Sequence, residues 1–98
     1  MKCFIVEGII KNADLMDENK MKEHIAYSQK AMNEGLILMS GLKVDMSGGT
    51  FIMKAKSIEK VEDYLSNEPF KVYGIQDYKV IEFLPHYFNQ SPSEWFNE

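Results

Sequence analysis

The sequence contains no arginine. All eleven basic residues are lysines, set against fifteen acidic ones, for a net charge of −4. Sites that grip carboxylate or phosphate through a bidentate fork ordinarily use guanidinium groups, so strong recognition of a polyanionic substrate is not expected. The acidic balance also argues against nucleic acid as a partner, because neutralising phosphates needs a basic patch. Cysteine is nearly absent. Cys3 stands alone and cannot form an internal disulfide; within an apolar strand it reads as a small buried hydrophobe. No N-terminal segment has the basic, apolar and small-residue order of a signal peptide, and no apolar run nears the eighteen residues of a membrane helix. The expectation is a soluble, reduced, cytoplasmic protein with no membrane contact.

Histidine is scarce as well. His24 and His86 are the only two, and neither has a second histidine or a cysteine nearby. A metal site needs three or four ligands at matched spacing, so neither a metal nor another cofactor is expected. No diagnostic nucleophile–base–acid series is visible.

What is present suits one domain over residues 1–98, with 86–98 as an aromatic C-terminal tail. The apolar fraction of 45% and charged fraction of 27% are ordinary for a globular chain. Seven methionines, six phenylalanines and five tyrosines are generous for 98 residues and predict a large core or an interface to fill.

Lys2 to Ile10 reads as a strand with apolar groups on both faces, broken only by Glu7-Gly8. Asn12, Asp14 and Asp17 form a polar loop with several possible N-caps, and a helix follows from about Glu18 to Glu34. Met21, Ile25, Ser28 and Met32 lie along one stripe of it, with His24 flanking the stripe. Gly35 is placed to end the helix. Leu36-Ile37-Leu38-Met39 is apolar without a break, as in a strand covered on both sides. Gly48-Gly49 marks a hairpin connection into the returning strand Thr50–Ala55. A phosphate cradle is disfavoured there, because such loops lead into helices.

Ser57 is a good N-cap for a short second helix, roughly Ile58 to Ser66, which Pro69 stops by pushing Glu68 out of helical geometry. Lys71 to Gly74 reads as a bridge and Ile75 to Leu84 as the last strand. The tail carries Tyr87, Phe88, Trp95 and Phe96 and is expected to pack over its own domain or a partner.

The order β-α-β-β-α-β predicts a ferredoxin-like α+β fold with both helices on one sheet face. The strands are nevertheless apolar on both faces. An uncovered face of that kind is a patch that soluble monomers rarely expose, so a closed homodimer through the sheet face is expected.

For chemistry, a histidine–carboxylate pair remains. A carboxylate on one imidazole nitrogen fixes the tautomer and lets the other nitrogen move protons near neutral pH. Glu68, at the end of the second helix, can return near the start of the first, where His24 sits; spacing alone leaves open whether it does. Taken alone, His24 is also compatible with a structural or solvent-facing role.

The series His24-x-x-Tyr27, Gly35 to Gly41, Gly48-Gly49 entering a strand, Ser57, Glu68-Pro69-Phe70, Gly74 and Ile81-Glu82-Phe83 resembles the YCII-related family over roughly residues 1 to 88. The resemblance implies a dimeric α+β barrel of ferredoxin-like protomers. It also implies an active site made by a first-helix histidine and an aspartate in an Asp-Pro-Phe/Tyr segment. His24 matches the histidine, whereas Glu68 stands where the family has aspartate. Ser40 and Gly41 match small residues that line the cleft. The activities implied are of lyase or dehydrochlorinase type on ring compounds.

Two readings follow. One is a lyase- or isomerase-type enzyme with His24 and Glu68 as its catalytic pair. Ser40 and Phe70 would contact a small metabolite, with Phe4, Met39 and Phe51 as further apolar lining. The other is a non-catalytic ligand-binding or structural homodimer.

Overall fold

The computed structural model describes residues 1–97. Four strands, β1 (Lys2–Ile10), β2 (Ile37–Leu42), β3 (Gly49–Ala55) and β4 (Gln76–Phe83), form one sheet in the order β2-β3-β1-β4. Each neighbouring pair is antiparallel. The helices are α1 (Glu18–Asn33), α2 (Ile58–Ser66), the single turn α3 (Pro69–Val72) and, in the tail, α4 (Pro92–Phe96). This is the expected ferredoxin-like α+β order, with β1 and β3 at the centre.

Alternation along the strands divides the sheet. Phe4 and Val6 of β1 point toward the helices and are wholly buried. With Met53, Ile37, Val61 and Leu65 they make the core. Cys3, Ile5 and Ile9 point the other way. The register sets Ile5 beside Ile52 and Ile81, and in the single chain Ile5 and Ile81 remain 36% and 48% exposed. β2 corrects the expectation of a strand covered on both sides. It lies at the sheet edge with an irregularity between Ile37 and Met39, and Leu38 at that step is exposed while Ile37 is buried.

Helix α1 starts where Asp17 accepts the Lys20 backbone N–H at 2.8 Å and is followed by Gly35 at φ 77°. The expected stripe holds only at its C-terminal half: Ser28 and Met32 are half-buried and Met32 packs on the core, whereas Met21 and Ile25 are exposed. The face is turned toward Ala31, the buried residue of the helix, with His24 and Tyr27 half-buried on that side. Ala31 carries little hydrophobic weight in a periodicity count, yet its small side chain lets the helix lie close to the sheet.

The loop before β3 also differs in its physical cause. The tight turn lies earlier, where the Met46 N–H meets the Lys43 carbonyl and Met46 itself takes φ 63°. Gly48, at φ 150°, is where the loop crosses β1: a Cβ there would stand 2.1 Å from the Gly8 carbonyl oxygen. Lys71 and Val72, read as part of a bridge, belong to α3, since Pro69 suits the first position of a helical turn. The tail does not cover its own sheet; Tyr87 and Phe88 are exposed. Among the described residues no helix is long and apolar enough to cross a membrane.

Candidate active site

The site begins at a proline. Pro69 holds Glu68 in extended backbone geometry (φ −69°, ψ 130°), which ends α2 and makes Glu68 the cap of α3. From there Oε2 of Glu68 accepts the Phe70 backbone N–H at 3.1 Å, and the carboxylate is turned into the protein with only 2% of its residue exposed. Buried carboxylates require partners. Glu68 has them on both oxygens. His24 Nδ1, from α1, lies 2.5 Å from Oε1, and the Tyr78 hydroxyl, from β4, donates to Oε2 at 2.5 Å. Gln76, two residues back on the same face of β4, donates its side-chain N–H to the Tyr78 oxygen at 2.8 Å.

The imidazole is fixed from a second direction. The Phe70 ring stacks on it with centroids 3.9 Å apart and planes 5° from parallel. The His24 side chain keeps 26% exposure and stands in the wall of a cavity of about 260 Å³. Nδ1 is engaged with Glu68, which leaves Nε2 as the nitrogen for a bound molecule. Glu68, Gln76 and Tyr78 reach the same wall, which also includes Ser28 and Met32 of α1, Ser40 of β2, Phe51 of β3 and Tyr64 of α2. Among the described residues no lysine lines it.

The aromatic hydroxyls round the site are tuned by burial. Burial pushes Tyr78 well above the ordinary tyrosine range, and its hydrogen bond to Glu68 adds to this. Burial likewise raises Tyr64, followed by the effect of Tyr27. Tyr27 is raised by burial and then by the charge of Glu68. Tyr27 donates its hydroxyl to the Tyr64 carbonyl at 2.7 Å, which ties α1 to α2 beside the cavity. Among the described residues, no three His, Cys, Asp or Glu side chains converge in a way that would hold a metal ion.

The structure therefore brings His24 and Glu68 together across 44 residues of chain and places Ser40 in the cavity wall with Gly41. Phe70 stands elsewhere than expected. It is 4% exposed, outside the lining, and supports the imidazole from behind. Of the other apolar candidates, Phe51 lines the cavity, Phe4 is core, and Met39 faces the far side of the sheet with Ile52. Tyr78 and Gln76 were not anticipated. Their signal was available: they are polar residues at alternate positions of β4, on the face that Val80 continues toward the core.

The profile of the YCII-related domain matches residues 1–84. The chain belongs to the YCII-related family. No curated protein matches the sequence. Among solved structures, this YCII-related chain is similar to the 5-chloro-2-hydroxyhydroquinone dehydrochlorinase (TftG) of Burkholderia phenoliruptrix AC1100 in complex with 2,5-dihydroxybenzoquinone. The TM-score is 0.66 at 19% identity, over 84% of this chain and 93% of that one. An antibiotic biosynthesis monooxygenase gives a TM-score of 0.53 at 19% identity, over 88% of this chain and 99% of that one. At such identities the likeness shows the fold, the ferredoxin-like protomer. Where the sequence resemblance leads to an expectation of aspartate, the longer Glu68 reaches His24 at 2.5 Å.

Proposed function

We propose that this protein is a small homodimeric enzyme of lyase or isomerase type. In this reading His24 is the general acid/base and Glu68 the group that orients it, acting on a small uncharged metabolite. The observation that carries the reading is the 2.5 Å contact between His24 Nδ1 and Glu68 Oε1 in the wall of an open cavity of about 260 Å³. With Nδ1–H donated to the carboxylate, Nε2 holds a free lone pair. It takes a proton from a substrate C–H or O–H. The electron pair left behind forms a new double bond as a leaving group departs, or shifts an existing one. The imidazolium, stabilised by Glu68, then returns its proton to the leaving group or to another substrate atom. Such proton transfer contributes roughly 10²–10⁴ in rate. The Ser28 and Ser40 hydroxyls are suited to hold polar substituents, and the absence of lysine from the lining favours a neutral molecule.

The likeness to a dehydrochlorinase recorded with a quinone supports ring compounds as the first probes. The exposed Ile5 and Ile81 support the sheet face as the dimer contact. The single free cysteine suits a cytoplasmic setting.

The test is a panel of halogenated and hydroxylated hydroquinones together with 2,5-dihydroxybenzoquinone, added to ¹⁵N-labelled protein and assayed for turnover. Expected are shifts at His24, Ser28, Ser40 and Phe51, and turnover lost in a folded His24→Ala variant. Turnover that persists without the imidazole sinks its catalytic role. Binding in the cavity with the compound retained unchanged points to the non-catalytic reading instead.

A further inference from the structure

A carboxylate on a glutamate arm has one more torsion than an aspartate, and an oriented imidazole requires that torsion to be fixed. The donors around Glu68 do this in a definite direction. Gln76 gives its side-chain N–H to the Tyr78 oxygen at 2.8 Å, so the phenol's own hydrogen is directed onward, to Glu68 Oε2 at 2.5 Å. The Phe70 N–H reaches the same oxygen at 3.1 Å. Oε2 thus receives two donors and has no room to carry a proton toward either. The only partner of Oε1 among the described residues is His24 Nδ1.

We propose that Tyr78 is the positioning residue of the site: held by Gln76, its hydroxyl locks the second oxygen of Glu68 so that the first stays in line with His24 Nδ1. This rests on the acid/base reading of the His24–Glu68 pair and extends it by one layer. The backbone makes space for the lock. Gln76 is 4% exposed, and a Cβ on Gly8 would come within 2.6 Å of its side-chain oxygen. Burial keeps the Tyr78 phenol protonated, and therefore a donor, throughout the neutral range. Tyr78 also borders the cavity, but its hydroxyl is spent on Glu68 Oε2, so it acts through Glu68, and its removal changes which imidazole nitrogen carries the proton.

Long-range ¹⁵N–¹H spectra of the two histidines test this, with exposed His86 as the internal reference. In the wild-type protein the neutral His24 ring is expected as a single Nδ1–H tautomer. In a folded Tyr78→Phe variant that single-tautomer pattern is lost to a mixture with the Nε2–H form, while His86 does not change. His24 signals indistinguishable from wild type in that variant overturn the positioning role and leave the pair intact. A wild-type His24 already in the Nε2–H form overturns the pair itself, and this proposal with it. Should Tyr78→Phe fail to fold, the wild-type hydroxyl proton decides. A slowly exchanging, downfield Tyr78 resonance close to the Phe70 amide is expected, and a hydroxyl exchanging freely with water overturns the lock.

Discussion

Phe70 supports both members of the central pair at once. Its ring lies flat against His24 at 3.9 Å between centroids, and its backbone N–H holds Glu68 at 3.1 Å. The two supports are separable by mutation. Phe70→Leu keeps the backbone donor and most of the buried volume but removes the flat face. A loss of about 1–2 kcal/mol is expected, the sum of an aromatic contact and imperfect repacking. Urea unfolding gives the stability. Ring NMR should show greater mobility of the His24 side chain, with the Glu68 contacts retained.

Glu68→Gln separates the shape of the acid from its charge. The Tyr78 hydroxyl and the Phe70 N–H both point hydrogens at the Oε2 position, so the amide must place its oxygen there and its NH₂ toward His24. Nδ1 must then accept, the proton moves to Nε2, and the cavity-facing nitrogen ceases to be a base. The fold is expected to persist, because every buried group keeps a partner. Turnover should fall by roughly 10²–10⁴. An unchanged tautomer in the ¹⁵N spectrum of this variant would contradict the donor assignment.

The sequence was most informative where one residue decides a local outcome. Ser57 accepts the Lys60 N–H at 3.3 Å and α2 starts beside it; Pro69 both stops that helix and aims Glu68. The β-α-β-β-α-β order was enough to give the sheet. Less legible were features set by shape across the core. The inward face of α1 depends on Ala31, which weighs little in a hydrophobic pattern but permits close approach. Phe70 as a plate beneath the imidazole, and Tyr78 and Gln76 beside the acid in the cavity wall, depend on β4 register and on where α3 returns. Chain spacing contains neither. Gly48, read as part of a turn, proved to be fixed by contact with a distant strand.

That contact makes a sharp comparison between two glycines. Gly48→Ala would put a methyl group 2.1 Å from the Gly8 carbonyl in a backbone region that L-residues rarely occupy, whereas a Cβ at Gly41 meets nothing within 4 Å. Gly48→Ala is expected to cost at least about 2–3 kcal/mol, from strain and overpacking together. Gly41→Ala should fall within about 0.5 kcal/mol of wild type. Similar melting temperatures for the two variants would show that the loop can move off β1 freely.

Alkaline pH should weaken the fold through the buried phenols. Tyr78 and Tyr64 are both raised above the ordinary value of 10.0, chiefly by burial. Below that value both phenols are protonated in either state and add no pH dependence. As pH rises beyond it, the unfolded chain releases protons that the folded chain retains, so stability falls. For Tyr78 the slope is at most about 1.4 kcal/mol per pH unit. Urea midpoints should stay level up to the ordinary tyrosine range and decline above it. Tyr78→Phe should flatten the decline; a decline of the same steepness in that variant would assign it elsewhere.

The far side of the sheet carries the last expectation. Ile5, Ile52 and Ile81 lie side by side across the three strands β3, β1 and β4, with Cys3 on the same face next to Ile5 in the alternation. Two such faces meeting about a two-fold axis would bury this row, and Ile81→Lys would set two ammonium groups into that contact. Wild-type protein is therefore expected to sediment as a dimer and Ile81→Lys as a monomer. The His24–Glu68 contact lies on the opposite side of the sheet and should be untouched in the His24 spectrum. Cys3 gives an independent readout, since its thiol should alkylate slowly in the dimer and faster in the variant. A wild-type chain that sediments alone, with Cys3 reacting at the rate of the variant, would show that this face is exposed to water and that the site works within one protomer.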